Sequence, residues 1–152
     1  MIGRVVQFVL SVLALVTGAA LEEMLPKVFG VGFPVLLMSA LFFAVRRQDP
    51  SALAFAVVAG AVEDALSALP PMTSVSYFLG VALLARFLGR SGALMAVVYP
   101  LYQIWLAVWL PGIGGGVFAR VLLSCPVGFA TAYAVDWALT WFSRKAAADE
   151  RR

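Results

Sequence analysis

Residues 28–69 read VFGVGFPVLLMSALFFAVRRQDPSALAFAVVAGAVEDALSAL, two apolar runs parted only by Arg46-Arg47-Gln48-Asp49. A helix rises about 1.5 Å per residue, so each run comes close to crossing the roughly 30 Å of hydrocarbon in a bilayer. The polar turn is too short for a domain, and Pro50 suits the first turn of a new helix. The stretch reads as a helical hairpin in a membrane.

The pattern extends in both directions. Further apolar runs cover 5–21, 72–88, 92–110 and 117–142, which with 28–45 and 50–69 make six. Each break has a physical cause. Glu22, Glu23, Pro26 and Lys27 end the first run, and Pro70-Pro71 cannot continue a helix. Arg86, Gly89, Arg90 and Gly92 close the fourth, and Pro111-Gly112-Ile113-Gly114-Gly115-Gly116 forms a turn before the sixth. The expectation is an all-α, polytopic six-transmembrane-helix bundle in one domain, residues 1–143, followed by a charged tail, 144–152.

Composition agrees. Of 152 residues 63% are hydrophobic and 12% charged, against about a quarter charged in a soluble domain. The basic residues set the orientation, since Lys and Arg in short loops stay in the cytoplasm. With the N-terminus inside, one face holds Arg4, Arg46, Arg47, Arg86, Arg90, Arg144, Lys145, Arg151 and Arg152, and the other holds Lys27 and Arg120. Both termini are therefore expected in the cytoplasm. Arg4 followed by an apolar run and Gly18-Ala19-Ala20 also loosely resembles a secretory signal, but the run exceeds the 7 to 15 residues of such a signal's apolar region.

Several function classes drop out. Histidine is absent, which removes the commonest general base and metal ligand. Cys125 is the single cysteine, so no intrachain disulfide forms. No basic stripe interleaved with aromatics marks a nucleic-acid surface. No metal, cofactor or catalytic set is expected, although Glu22, Glu23, Glu63 and Asp64 gather carboxylates on one side. Ser67 beside Asp64 is the one local pairing of a nucleophile with a base, and a structural hydrogen bond explains it more cheaply.

Ionisable groups at bilayer depth cost about 2.5 to 3.5 kcal/mol on insertion scales, so each asks for a partner or a purpose. The third run carries Ala52, Ala56, Gly60, Asp64 and Ala68 on one four-residue row, and the sixth repeats the design with Arg120, Ser124, Gly128, Ala132, Asp136 and Thr140. Small residues let helices approach closely, so the two rows invite mutual packing. Two readings stand for Arg120: it meets Glu63 and Asp64, or it snorkels to the surface. Two stand for Asp136 as well, a helix-to-helix hydrogen bond or a step in a proton pathway. Tyr99, Tyr102, Trp105, Trp109, Trp137 and Trp141 read as interface anchors and packing before they read as a ligand cage.

The middle of the chain resembles the rod shape-determining protein MreD family. The residues that carry the resemblance are Pro34-Val35-Leu36-Leu37, Arg46-Arg47, Gly60-Ala61-Val62-Glu63-Asp64-Ala65-Leu66-Ser67 and Pro70, then an apolar helix ending in Arg86 and Arg90. On it, Pro34, Gly60, Asp64, Ser67 and Pro70 take the motif positions. The chain departs from the pattern at Val35, where the family usually has a polar residue, and at Ala68, where it usually has glycine. The resemblance implies a non-enzymatic scaffold of the bacterial inner membrane, working with an MreC-like membrane protein, the actin-like MreB filament and the cell-wall elongation synthases. The runner-up is a substrate-binding subunit of an energy-coupling-factor vitamin transporter, a fold the MreD family is similar to. That function needs a polar, aromatic cavity near the outer surface, with Glu22, Glu23, Glu63, Asp64, Trp105 and Trp109 as candidates, and Ala14-x-x-x-Gly18 as a docking face.

Overall fold

The computed structural model describes residues 2–27, 31–46, 50–89, 92–110 and 116–149, with the backbone alone at 2–7, 92–93 and 146–149. The turn at Arg47-Gln48-Asp49, Arg90, the turn residues Pro111 to Gly115, and Arg151 and Arg152 lie outside the described residues. So does the side chain of Arg4.

Six helices and no strand make up the fold among the described residues: α1 Ile2–Met24, α2 Val35–Arg46, α3 Pro50–Leu66, α4 Thr73–Leu88, α5 Gly92–Trp109 and α6 Val117–Asp149. α2 is the axis of the bundle and packs on α1, α3, α4 and α6. Its sequence, VLLMSALFFAVR, is apolar almost all round, which is the mark of a helix without a solvent face. Leu36, Leu37 and Leu41 are fully enclosed, as are Phe78 of α4 and Val98 of α5.

The helix bounds differ from the apolar runs where polar chemistry intervenes. Residues 31–34 are not helical, and α2 starts only at Val35, because Gly32 and Pro34 favour an extended entry. α3 stops at Leu66 and not at residue 69. The backbone turns left-handed at Ala68, with φ 49°, and Leu69 N–H donates to Asp64 C=O at 2.9 Å. That pair of features is a Schellman ending, which normally places glycine where Ala68 stands. α6 runs through Pro126 and past residue 142 to Asp149.

The small-residue row of α3 is buried at Ala52, Ala56, Gly60 and Asp64, but it does not meet the row on α6. α3 packs on α4 and α2, while α6 packs on α5 and α2. The expected mutual packing of the two rows is thus corrected. Short connections hold α3 to α4 and α5 to α6 as neighbours, and each row serves the helix beside it in the chain. A Cβ on Gly60 would lie 2.6 Å from Val75 Cα, and one on Gly128 would lie 2.8 Å from Tyr99 Cβ. Ala132, a turn beyond Gly128, is buried as well.

Ala14 and Gly18 are also buried, with Leu36 against Gly18, so this pair brings α1 onto α2 and is no open docking face. By length and composition one helix stretch among the described residues, Val117–Lys145, is long and apolar enough to cross a membrane; Val35–Arg46, Thr73–Leu88 and Leu94–Trp109 are shorter apolar helices. Along α6, Phe118, Leu122, Phe129, Tyr133, Trp137 and Trp141 form one exposed stripe.

Candidate functional site

Helices α2 and α4 both begin without a side chain able to cap them. The residue before α2 is Pro34, and the residue before α4 is Met72, which sits left-handed at φ 71° and makes no side-chain cap. In each case the first N–H groups need an acceptor. A carboxylate from the preceding helix supplies it. Glu22 Oε1 accepts the N–H of Leu36 at 2.7 Å, and Asp64 Oδ1 accepts the N–H of Ser74 at 2.7 Å.

Both helix starts are at the same end of the bundle, and beside them opens a cavity of 290 Å³. Glu22, Glu23 and Lys27 reach it from α1 and the chain after it, Glu63 and Ser67 from α3 and its C-terminal turn, and Arg120 from α6. Tyr99, Tyr102 and Gln103 line it from α5, with Phe78 of α4 and the extended stretch around Phe33. Gly60 enables this layout: lacking a Cβ, it lets the first turn of α4 lie on α3 and brings Ser74 to Asp64.

Hydrogen bonds fix the wall. Ser67 Oγ donates to Glu63 Oε1 at 2.9 Å, and Tyr99 Oη donates to Gly32 C=O at 2.7 Å. The hydroxyls of Ser74 and Tyr102 are 2.6 Å apart, and Trp105 Nε1 donates to Thr73 C=O at 3.0 Å. Glu22, just past the apolar run of α1, has its pKa raised, first by burial and then by the Glu63 carboxyl to which it is hydrogen-bonded.

Each residue weighed from sequence now has a place. Glu22, Glu23 and Glu63 share the cavity, whereas Asp64, Trp105 and Trp109 do not line it. Arg120 lines the same cavity as Glu63 but makes no ion pair with it or with Asp64 among the described residues. Ser67 and Asp64 do not face each other; their partners are Glu63 and Ser74. Pro34 is buried at the start of α2, and the Pro70 carbonyl accepts the N–H of Thr73 at 3.2 Å. No group of three or more Asp, Glu, Cys or His able to hold a metal occurs among the described residues.

Asp136 is at the opposite end, 3.6 Å from Arg46, whose guanidinium also reaches Thr140 Oγ1 at 3.3 Å and lies over the Phe42 ring. These contacts link α2 to α6. Tyr99 and Tyr102 are buried cavity walls, while Trp109, Trp137 and Trp141 are exposed. What sequence reasoning missed is the capping duty of Glu22 and the place of Gln103 and Lys27. The signal for the first was present: a helix starting after Pro34 has no cap of its own.

Comparison with family models, with curated proteins and with solved structures returned no match.

Proposed function

We propose that this chain is a six-span protein of the bacterial inner membrane, both termini cytoplasmic, and a non-enzymatic scaffold of MreD type in the cell-wall elongation machinery. The observation that carries the reading is the way the motif residues interlock. Gly60 admits the α4 backbone, Asp64 closes α3 with its carbonyl and caps α4 with its carboxylate, and Ala68 takes the left-handed position where that family usually has glycine.

The exposed stripe on α6, from Phe118 to Trp141, supports the membrane reading. It covers 24 residues, about 36 Å of helix, and in water so long an apolar face is a liability. α2 has only 12 residues, about 18 Å, so it crosses as a central helix wrapped by its neighbours. The non-helical residues 31–34 before it are compatible with membrane depth because Val31 and Pro34 are buried, Gly32 and Phe33 line the cavity, and Gly32 C=O accepts the Tyr99 hydroxyl.

The test is partner capture. Tagged full-length chain, extracted gently from its native membrane, should bring down an MreC-like single-span protein, and deletion of the gene should round the cells. Rod-shaped deletion cells with no such partner would sink the proposal. The cavity favours a second reading, a substrate-binding subunit of an energy-coupling-factor transporter. Recovery of a stoichiometric vitamin with the purified protein would put that reading first.

A further inference from the structure

We infer that the cavity at the Glu22 end holds a small zwitterion, a molecule of amino-acid size with one ammonium and one carboxylate group. The starting observation is that its wall carries both signs of charge and leaves them apart. Arg120 from α6 and Glu63 from α3 line one space, yet no ion pair joins them among the described residues. Lys27 lines it too and is likewise unpaired there.

Arg120 is poorly placed for helix stability. It stands in the first turn of α6, where the free N–H groups already carry positive partial charge and a carboxylate is the favoured neighbour. Half-buried in a cavity wall, its guanidinium calls for an anion. Glu63, in the same lining, accepts the Ser67 hydroxyl and the Glu22 proton and has no cation within ion-pair distance among the described residues.

A simple amine would answer Glu63 and leave Arg120 unmatched. A simple acid would do the reverse. A molecule carrying both groups satisfies Arg120 and Glu63 at once, and the rings of Tyr99 and Tyr102 line the cavity beside its stem and its ammonium. The volume of about 290 Å³ lies just below the roughly 300–1,000 Å³ of ligand pockets, which suits a small molecule.

The inference concerns the cavity alone; it goes beyond the scaffold reading and would name the substrate class under the transporter reading. Full-length protein in lipid nanodiscs would be titrated with the ω-amino acids from glycine to 6-aminohexanoate, and with butylamine, butyrate and butanol as single-charge and neutral controls. The expected result is saturable binding that peaks at one chain length, at least about tenfold tighter than either single-charge control. Arg120→Gln should lower the zwitterion to the level of butylamine, and Glu63→Gln to the level of butyrate. Arg120→Lys keeps the charge and should keep part of the preference, which separates loss of the site from loss of the fold. Butylamine, butyrate or butanol binding as tightly as the best zwitterion would overturn the inference, and so would the absence of saturable binding. Either failure alongside intact capture of an MreC-like partner removes the ligand and leaves the scaffold.

Discussion

Asp64 Oδ1 receives the backbone N–H of Ser74 at 2.7 Å while the carbonyl of the same Asp64 receives the N–H of Leu69 at 2.9 Å. One residue therefore ends α3 and begins α4. The contact survives only because Gly60, one turn earlier, presents no Cβ to Val75.

Gly60→Ala should be the costliest glycine-to-alanine change among the described residues. The added carbon would lie 2.6 Å from Val75 Cα and 2.8 Å from Val75 N, and backbone cannot swing aside as a side chain does. Overpacking of this kind costs about 1–3 kcal/mol, and here it also draws Ser74 from its acceptor. A thermal midpoint equal to that of the parent protein would show that the helices can separate without penalty.

Ala68→Gly should act in the opposite direction. A left-handed alanine carries a strain of about 1–2 kcal/mol that glycine avoids, and glycine's extra freedom in the unfolded chain returns about 0.5–1 kcal/mol of it. The net expectation is a gain of up to about 1 kcal/mol, read as a higher midpoint in the same detergent.

Glu22 predicts a pH dependence of stability. Burial and the Glu63 carboxyl raise its pKa in the folded state, so the folded protein holds a proton that the unfolded chain releases. Its contribution is complete below the ordinary carboxyl range and is lost as pH climbs through the range above it. The titratable and charged groups that share its cavity are Glu23 from α1 and Lys27 after it, Glu63 from α3, Tyr99 and Tyr102 from α5 and Arg120 from α6. Glu22→Gln imitates the protonated form and keeps an acceptor for Leu36. Its midpoint should match the parent at about pH 5 and exceed it at about pH 9, whereas parallel curves would remove Glu22 as the cause.

The Arg46 and Asp136 pair should couple weakly. At 3.6 Å with Arg46 43% exposed, screening holds a pair of this kind to under about 1 kcal/mol. A double-mutant cycle with Arg46→Ala and Asp136→Ala measures it directly. If Asp136 served a proton path instead, Asp136→Asn would abolish a proton flux in sealed vesicles without moving the midpoint.

Much of the architecture was legible because proline, glycine and charge interrupt apolar runs for local reasons. Pro50, Pro70-Pro71 and Gly89 each fall at or beside a helix boundary. Gly60 and Gly128 were legible as close-approach residues, but their partners were not, since a row of small residues says that something comes near without saying which helix. The cavity was harder still. Glu22 and Leu36, or Glu63 and Arg120, are joined by topology and not by spacing, and no periodicity within one helix reports a meeting between two.

Because Asp64 anchors both sides of the α3–α4 corner, the six residues between them, 67–72, are not what sets the angle of that hairpin. Side chains there, apart from the left-handed Ala68, can change while the two rods keep their splay. Constraint concentrates instead on a single carboxylate and the bare glycine beneath it, the hinge pin and its socket.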